Sequence, residues 1–242
     1  MTCPPGLLPR PHGWHPPALT PAYRSSVARA PRLAPLSLDA TLTELTGPVF
    51  ATADLGPGDA DLIRNHARQG REALGERIIL HGRVLDEAGR PVPGTLVEIW
   101  QANAAGRYRH HRDGYRAPLD PDFGGCGRTL TGADGGYAFR TIRPGAYPWP
   151  NGGNDWRPAH VHFSLFGQCF GQRLITQMYF QGDPLIARCP IAQGVPDPVG
   201  VTLMTAQLDM SAAIPFECLA YRFDIVLRGR RATPFENRPE GG

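Results

Sequence analysis

Glycine and proline interrupt this chain at short intervals, and that spacing limits what it can fold into more than any other feature. There are 29 glycines and 26 prolines in 242 residues, close to a quarter of the chain, with no fixed period. The missing period excludes a collagen-like triple helix. Both residues interrupt helices, so a mainly helical protein is excluded as well. What fits between the interruptions is short strands. Residues 77–86, 95–102, 136–143, 159–166, 173–181 and 219–228 read as strands. The last alternates most cleanly, with Tyr221, Phe223, Ile225 and Leu227 against Arg222, Asp224, Val226 and Arg228. Turn clusters stand at Asp86–Pro91 and Gly132–Gly136. Two short helices are predicted, Asp59–Gln69 with Gly70 as its stop, and Pro198–Leu208. This punctuation predicts a mainly β protein, a single β-sandwich with long loops and short helices.

Residues 1–50 are different. They are Pro-rich and carry little periodicity, so they predict an extended N-terminal arm, with 51–242 as one domain. Trp14, Tyr23, Leu36, Leu38 and Phe50 are candidate anchors for packing that arm on a partner.

Charge and cysteine usage exclude several functions. The 25 basic residues are all arginine and are scattered, and the net charge is +3. Nucleic acid is therefore not expected as a partner. Without lysine there is no Schiff-base chemistry. The five cysteines (Cys3, Cys126, Cys169, Cys189 and Cys218) are odd in number and widely spaced, with no CxxC pair. No disulfide framework follows, which fits a reducing cytoplasm. The N-terminus lacks the apolar segment of a signal peptide, and no apolar run approaches membrane-spanning length. The expectation is a cytoplasmic protein with no membrane partner.

The densest chemical signal is Tyr147-Pro148-Trp149 followed by Asn154-Asp155-Trp156-Arg157-Pro158-Ala159-His160-Val161-His162-Phe163. On a strand, His160 and His162 point to one face, and Val161, Phe163 and Leu165 point into a core. Such a pair by itself reads first as two half-exposed strand histidines, and it is also compatible with two metal ligands, between which context must decide. Its context is phenolic and cationic. Tyr147 precedes it in a Pro/Gly loop, and Tyr108 follows the strand that ends at Trp100-Gln101. No cysteine is near, which disfavours structural zinc. The common Fe(II) triad needs a carboxylate, and the nearby Asp155 reads as a structural loop residue. Phenolate is a hard anionic donor and suits a hard trivalent ion such as Fe(III).

At these positions the chain resembles the β subunits of the protocatechuate 3,4-dioxygenase family of intradiol ring-cleaving enzymes. The resemblance runs through Trp14-His15-Pro16, Thr20-Pro21-Ala22-Tyr23 and Gly75–Ile79. It continues through Leu96–Asn103, Gly106–His110, Ala117–Pro121, the Tyr147–His162 block and Leu219–Gly229. It implies a transthyretin-like (prealbumin-like) sandwich and a non-haem Fe(III) site. Tyr147 and His162 would be axial ligands, and Tyr108, His160 and a hydroxide equatorial. It also implies catalytic roles for Arg157 and for Gln177 behind it, and substrate contacts from Tyr23, Trp149 and Ile191. The implied partner is an α subunit in a large hetero-oligomer of αβ units, which the arm would help to dock. The implied reaction is protocatechuate plus O2 to 3-carboxy-cis,cis-muconate, a step of aromatic-compound degradation by the β-ketoadipate route.

Charge counting makes those roles intelligible. Fe(III) with two tyrosinates and one hydroxide is neutral, and a catecholate dianion in place of hydroxide and Tyr147 keeps it neutral, avoiding a buried net charge. Tyr147 is therefore expected to leave and act as a base, its loop letting it swing while the strand histidines stay fixed. Arg157 is expected to offset negative charge on the ketonised ring. Cys126 and Cys169 read as incidental. Two alternatives stand beside this. One is a β-sandwich scaffold without catalysis. The other is an intradiol enzyme for catechol or hydroxyquinol, usually with an N-terminal helical dimerisation domain, against which this sequence offers one short helix candidate before its sandwich.

Overall fold

The structure is a computed structural model that describes residues 19–29, 55–152, 155–167, 174–227, 229 and 231–234. Most of the predicted arm, including Trp14, Leu36, Leu38 and Phe50, lies outside these residues, as do Cys3 and Cys169. The described chain is mainly β. Its strands are β1 (Arg77–Leu85), β2 (Leu96–Gln101), β3 (Cys126–Leu130), β4 (Gly136–Ile142), β5 (Tyr147–Pro148), β6 (Trp156–Arg157), β7 (His160–Phe166), β8 (Leu174–Phe180), β9 (Thr205–Leu208), β10 (Leu219–Arg222) and β11 (Ile225–Val226). The helices are short: α1 (Arg24–Arg29), α2 (Pro190–Gln193) and α3 (Pro198–Leu203).

Nine strands form one continuous, nearly closed sheet in the order β11-β1-β10-β9-β8-β7-β2-β3, with β4 beside β1; β5 and β6 form a separate ribbon. The sheet folds over its own core. Alternation on β1 puts Ile78, Leu80 and Val84 inside, and β7 adds Val161, Phe163 and Leu165 as expected. Tyr137 of β4 meets Phe163 of β7 at 5.9 Å between ring centroids, and Phe163 meets Phe223 at 5.1 Å. These aromatic contacts bring the two halves of the sheet together around one apolar cluster.

Three local expectations are corrected. Asp59–Gln69 is a run of turns, not a helix. Its backbone bonds sideways: Leu62 N–H donates to Arg140 O, Arg140 N–H to Ala60 O and Arg128 N–H to Asp59 O. Those groups are then not free to close helical turns. The strand at 219–228 splits into β10 and β11. Both pair parallel with β1 at one register, but between them the Phe223 carbonyl turns to accept the Tyr137 hydroxyl. Gly82 makes room, because a Cβ there would lie 1.9 Å from Phe223 O. The helix expected over Pro198–Leu208 stops at Leu203, and Thr205–Leu208 becomes β9. There Tyr179 N–H donates to Met204 O and Gln181 N–H to Ala206 O, so β8 draws the segment into the sheet. Among the described residues no helix is long and apolar enough to cross a membrane.

Candidate active site

Strand β7 is the platform. It lies between β2 and β8, with Trp100, His162 and Gln177 side by side across three strands, and Tyr179 next to His160. Cross-strand neighbours of this kind are in direct contact on one face. The His162 ring stacks flat on Trp100, at 4.7 Å and 1°. His160 and His162 share a face as predicted, with centroids 4.9 Å apart.

Two loops deliver the phenols. Asn103 organises the first: its Oδ1 accepts the Ala105 and Arg107 N–H groups, and its Nδ2 donates to Pro118 O. Asp113 then accepts the Tyr108 N–H at 2.7 Å. Gly106 has φ +81, and a Cβ on it would sit 2.2 Å from Ala146 O, so the two loops touch there. Tyr147 is not in a free loop, as expected, but on β5, in register with Arg157 of β6. Its backbone is held, so any swing is confined to the side chain.

The hydroxyls of Tyr108 and Tyr147 lie 3.4 and 3.5 Å from His160 Nε2. The other ring nitrogen, Nδ1, is 2.7 Å from Pro158 O, an acceptor only. Nδ1 therefore carries the proton, and Nε2 presents a lone pair to the two phenols. Burial, with Arg157 and His162 adding to it, holds the His160 pKa well below its ordinary value, so the ring is neutral. Burial also raises the Tyr147 phenol, against the pull of Arg157. Two hard oxygen donors, a neutral imidazole with its lone pair directed at them and a second imidazole on the same face suit a hard cation. Among the described residues no group of three or more His, Cys, Asp or Glu could do the same.

The site opens into a cleft of about 1040 Å3 whose walls include Tyr23, Trp100, Tyr108, Tyr147, Trp149, Arg157 and His162. Arg157 is only 2% exposed and donates through Nη2 to Gln177 Oε1. Burial works against its charge, but Tyr179, Cys189 and Tyr147 around it outweigh that and hold its pKa above the ordinary arginine value. The cleft lining also includes Arg29, Arg112 and Arg116. Ile191 is not on the wall; it packs behind Tyr23 in a small cluster with Tyr179 and Cys189, against which Trp149 also rests. Gln177 is fully buried behind Arg157.

Sequence reasoning missed the supports. Asn151, 4% exposed, accepts the Arg24 N–H and donates to Ala22 O and to Asp155 Oδ2. It ties the segment carrying Tyr23 to the β5–β6 ribbon and brings Tyr23 to 6.1 Å from Trp149. Asp155 holds Asn151, as its structural reading expected. Nothing local in the sequence marks Asn103, Asn151, Tyr179 or Cys189, because their partners are distant in the chain.

Comparisons with known proteins identify the family. A family profile described as "Dioxygenase" matches residues 45–229. A second, "Protocatechuate 3,4-dioxygenase beta subunit N terminal", matches residues 8–41. The chain is 53% identical over 236 residues to a protocatechuate 3,4-dioxygenase beta chain of Burkholderia cepacia, covering 98% of this chain and 100% of that one. It is 32% identical over 167 residues to the alpha chain of such an enzyme from Pseudomonas putida, covering 68% of this chain and 77% of that one. Among solved structures it resembles 3-chlorocatechol 1,2-dioxygenase of Rhodococcus opacus 1CP, with a TM-score of 0.52 and 27% identity. That match covers 75% of this chain and 70% of that one. The near-full-length identity and the profile over residues 45–229 place the chain plainly: it belongs to the intradiol ring-cleavage dioxygenase family.

Proposed function

We propose that this chain is the β subunit of an enzyme that cleaves protocatechuate with O2, between its two hydroxyl-bearing carbons, to 3-carboxy-cis,cis-muconate. The observation that carries this is the convergence of the Tyr108 and Tyr147 hydroxyls on the bare Nε2 of His160, with His162 beside it. Tyr108, Tyr147, His160 and His162 would hold a non-haem Fe(III). That ion would supply Lewis acidity and draw electron density from a chelated catechol, making the ring reactive towards O2.

The chain's own residues do the rest. His160 keeps its proton on Nδ1, fixed by Pro158 O, and so stays a neutral donor. Tyr147 Oη, a phenolate when it holds the ion, takes a substrate hydroxyl proton. Arg157, directly across the ribbon from Tyr147, faces the negative charge that develops on the ring. Gln177 orients Arg157. Trp149 and Tyr23 wall the ring position, and the Tyr23 hydroxyl, which accepts from Arg29 at 3.0 Å, meets the substrate carboxylate. Ile191 backs that wall.

The partner in this reading is an α subunit, in assemblies of αβ units, and matches to both a beta and an alpha chain support it. Residues 1–50 are read as the arm that docks there, supported by the N-terminal profile match over 8–41. The nearly closed sheet is read as the transthyretin-like sandwich over 51–242, and the unpaired cysteines as cytoplasmic.

The test is co-expression with an α chain, metal analysis and a visible spectrum. The αβ protein should be red-brown from phenolate-to-iron charge transfer and should convert protocatechuate to the muconate. Colourless protein that takes up no iron after ferric reconstitution would sink this reading. Faster turnover of catechol by the β chain alone than of protocatechuate by the complex would overturn the substrate.

A further inference from the structure

We propose that Tyr179 and Cys189 are positioning residues for Arg157, holding its guanidinium from behind the cleft wall. This rests on the reading of Arg157 given above. The two-residue strand β6 carries Arg157 but cannot by itself fix a long side chain. Its Nη2 donates to Gln177 Oε1. The Tyr179 hydroxyl donates to the same oxygen at 3.3 Å. Two donors on one atom fix the amide, because a flip would turn its N–H towards both. Gln177 Nε2 is accordingly left buried with no partner, a cost accepted for a well-aimed acceptor.

Cys189 closes the arrangement. Its sulfur lies 3.8 Å from the Tyr179 hydroxyl, and Tyr179 and Cys189 are both among the neighbours that favour the charged form of Arg157. It sits at the N-cap of α2, where Ser, Thr, Asp or Asn would accept a helix N–H. Its side chain makes no such bond, and the residue is fully buried in the cluster with Tyr179. The thiol is turned inward, to the phenol, not along the helix. Neither Tyr179 nor Cys189 lines the cleft, so both act through Arg157. Arg157 Nε is buried and makes no hydrogen bond to the protein. The competing view is that Cys189 is only a small apolar filler.

The experiment uses the iron-loaded αβ complex with Tyr179→Phe, Cys189→Ala and Cys189→Ser, each alone and in an Arg157→Lys background. Tyr179→Phe and Cys189→Ala should each lower kcat about tenfold, with KM within about twofold, because they misplace a group used as charge develops. The visible band should not move, and any fall in the thermal midpoint should be the same in the Arg157→Lys background. Cys189→Ser should recover kcat to within about twofold, since a hydroxyl keeps the polar contact. In the Arg157→Lys background the first two changes should each cost less than about twofold, since they act through the guanidinium. A second readout needs no turnover: without O2, the complex is titrated with protocatechuate and with a carboxylated hydroxypyridone, which presents a keto oxygen. The variants should weaken only the hydroxypyridone. Equal losses in both backgrounds, or no loss for the keto ligand, would overturn the proposal. If the unaltered complex fails to cleave protocatechuate, the proposed function falls, and the binding titration still decides the role of Tyr179 and Cys189.

Discussion

Tyr147 and Arg157 are register partners on the β5–β6 ribbon, so a buried phenol and a buried guanidinium stand directly opposite each other. In the proposed mechanism this one ribbon supplies both the proton acceptor and the cation that steadies the anion formed. Tyr147→Phe removes the acceptor and leaves the ribbon intact. The expected result is retained iron at reduced occupancy and substrate binding slowed by about 100-fold, measured by anaerobic stopped-flow at the visible band. An unchanged binding rate would show that Tyr147 does not take the proton.

His162 combines a stack on Trp100 with a place on the same face as His160. His162→Ala should abolish iron retention through gel filtration and with it the colour. Far-ultraviolet circular dichroism should stay unchanged, because the half-exposed imidazole is not part of the core.

Gly106 is where the loop carrying Tyr108 touches the segment leading into β5 and Tyr147. Gly106→Ala forces a Cβ against Ala146 O on a backbone with φ +81. It should cost about 1–3 kcal/mol in denaturant unfolding and also lower iron occupancy, since Tyr108 and Tyr147 would both shift. Gly114, whose surroundings are open, should accept alanine with little effect on stability.

The Tyr137 hydroxyl is the donor to the buried Phe223 carbonyl at the break between β10 and β11. Tyr137→Phe should destabilise by about 1–3 kcal/mol, because that carbonyl would be stranded. Chemical denaturation measures it, and kcat of the folded enzyme should be unaltered.

Tyr23 presents its hydroxyl beside Arg29 at the cleft wall. Tyr23→Phe should raise KM for protocatechuate about tenfold and KM for catechol less than about twofold, as one hydrogen bond to a charged group is lost. Equal effects on both substrates would show that Tyr23 does not read the carboxylate.

Much of this was legible in the sequence because it depends on local geometry. Strand alternation has period 2, so His160-Val161-His162-Phe163 alone determines that the histidines share one face and the apolar residues the other. The Gly/Pro spacing likewise determined a mainly β chain with ordered loops. The motif residues identified the family, and Tyr108, Tyr147, Arg157 and Gln177 do gather around the histidines.

Only the tertiary structure decided what depends on contacts between distant segments. Asp59–Gln69 has a helical pattern, but β3 and β4 claim its backbone groups. The cleanest alternation in the chain is broken at Phe223 because Tyr137, 86 residues away, takes its carbonyl. Tyr147 reads as a mobile loop residue until β6 pairs with it. Cys189 is only one of five scattered cysteines in the sequence until the fold sets it beside Tyr179. Periodicity encodes which face a side chain takes. It carries no information about which distant donor or acceptor will satisfy a buried polar group, and here that choice sets the geometry of the site.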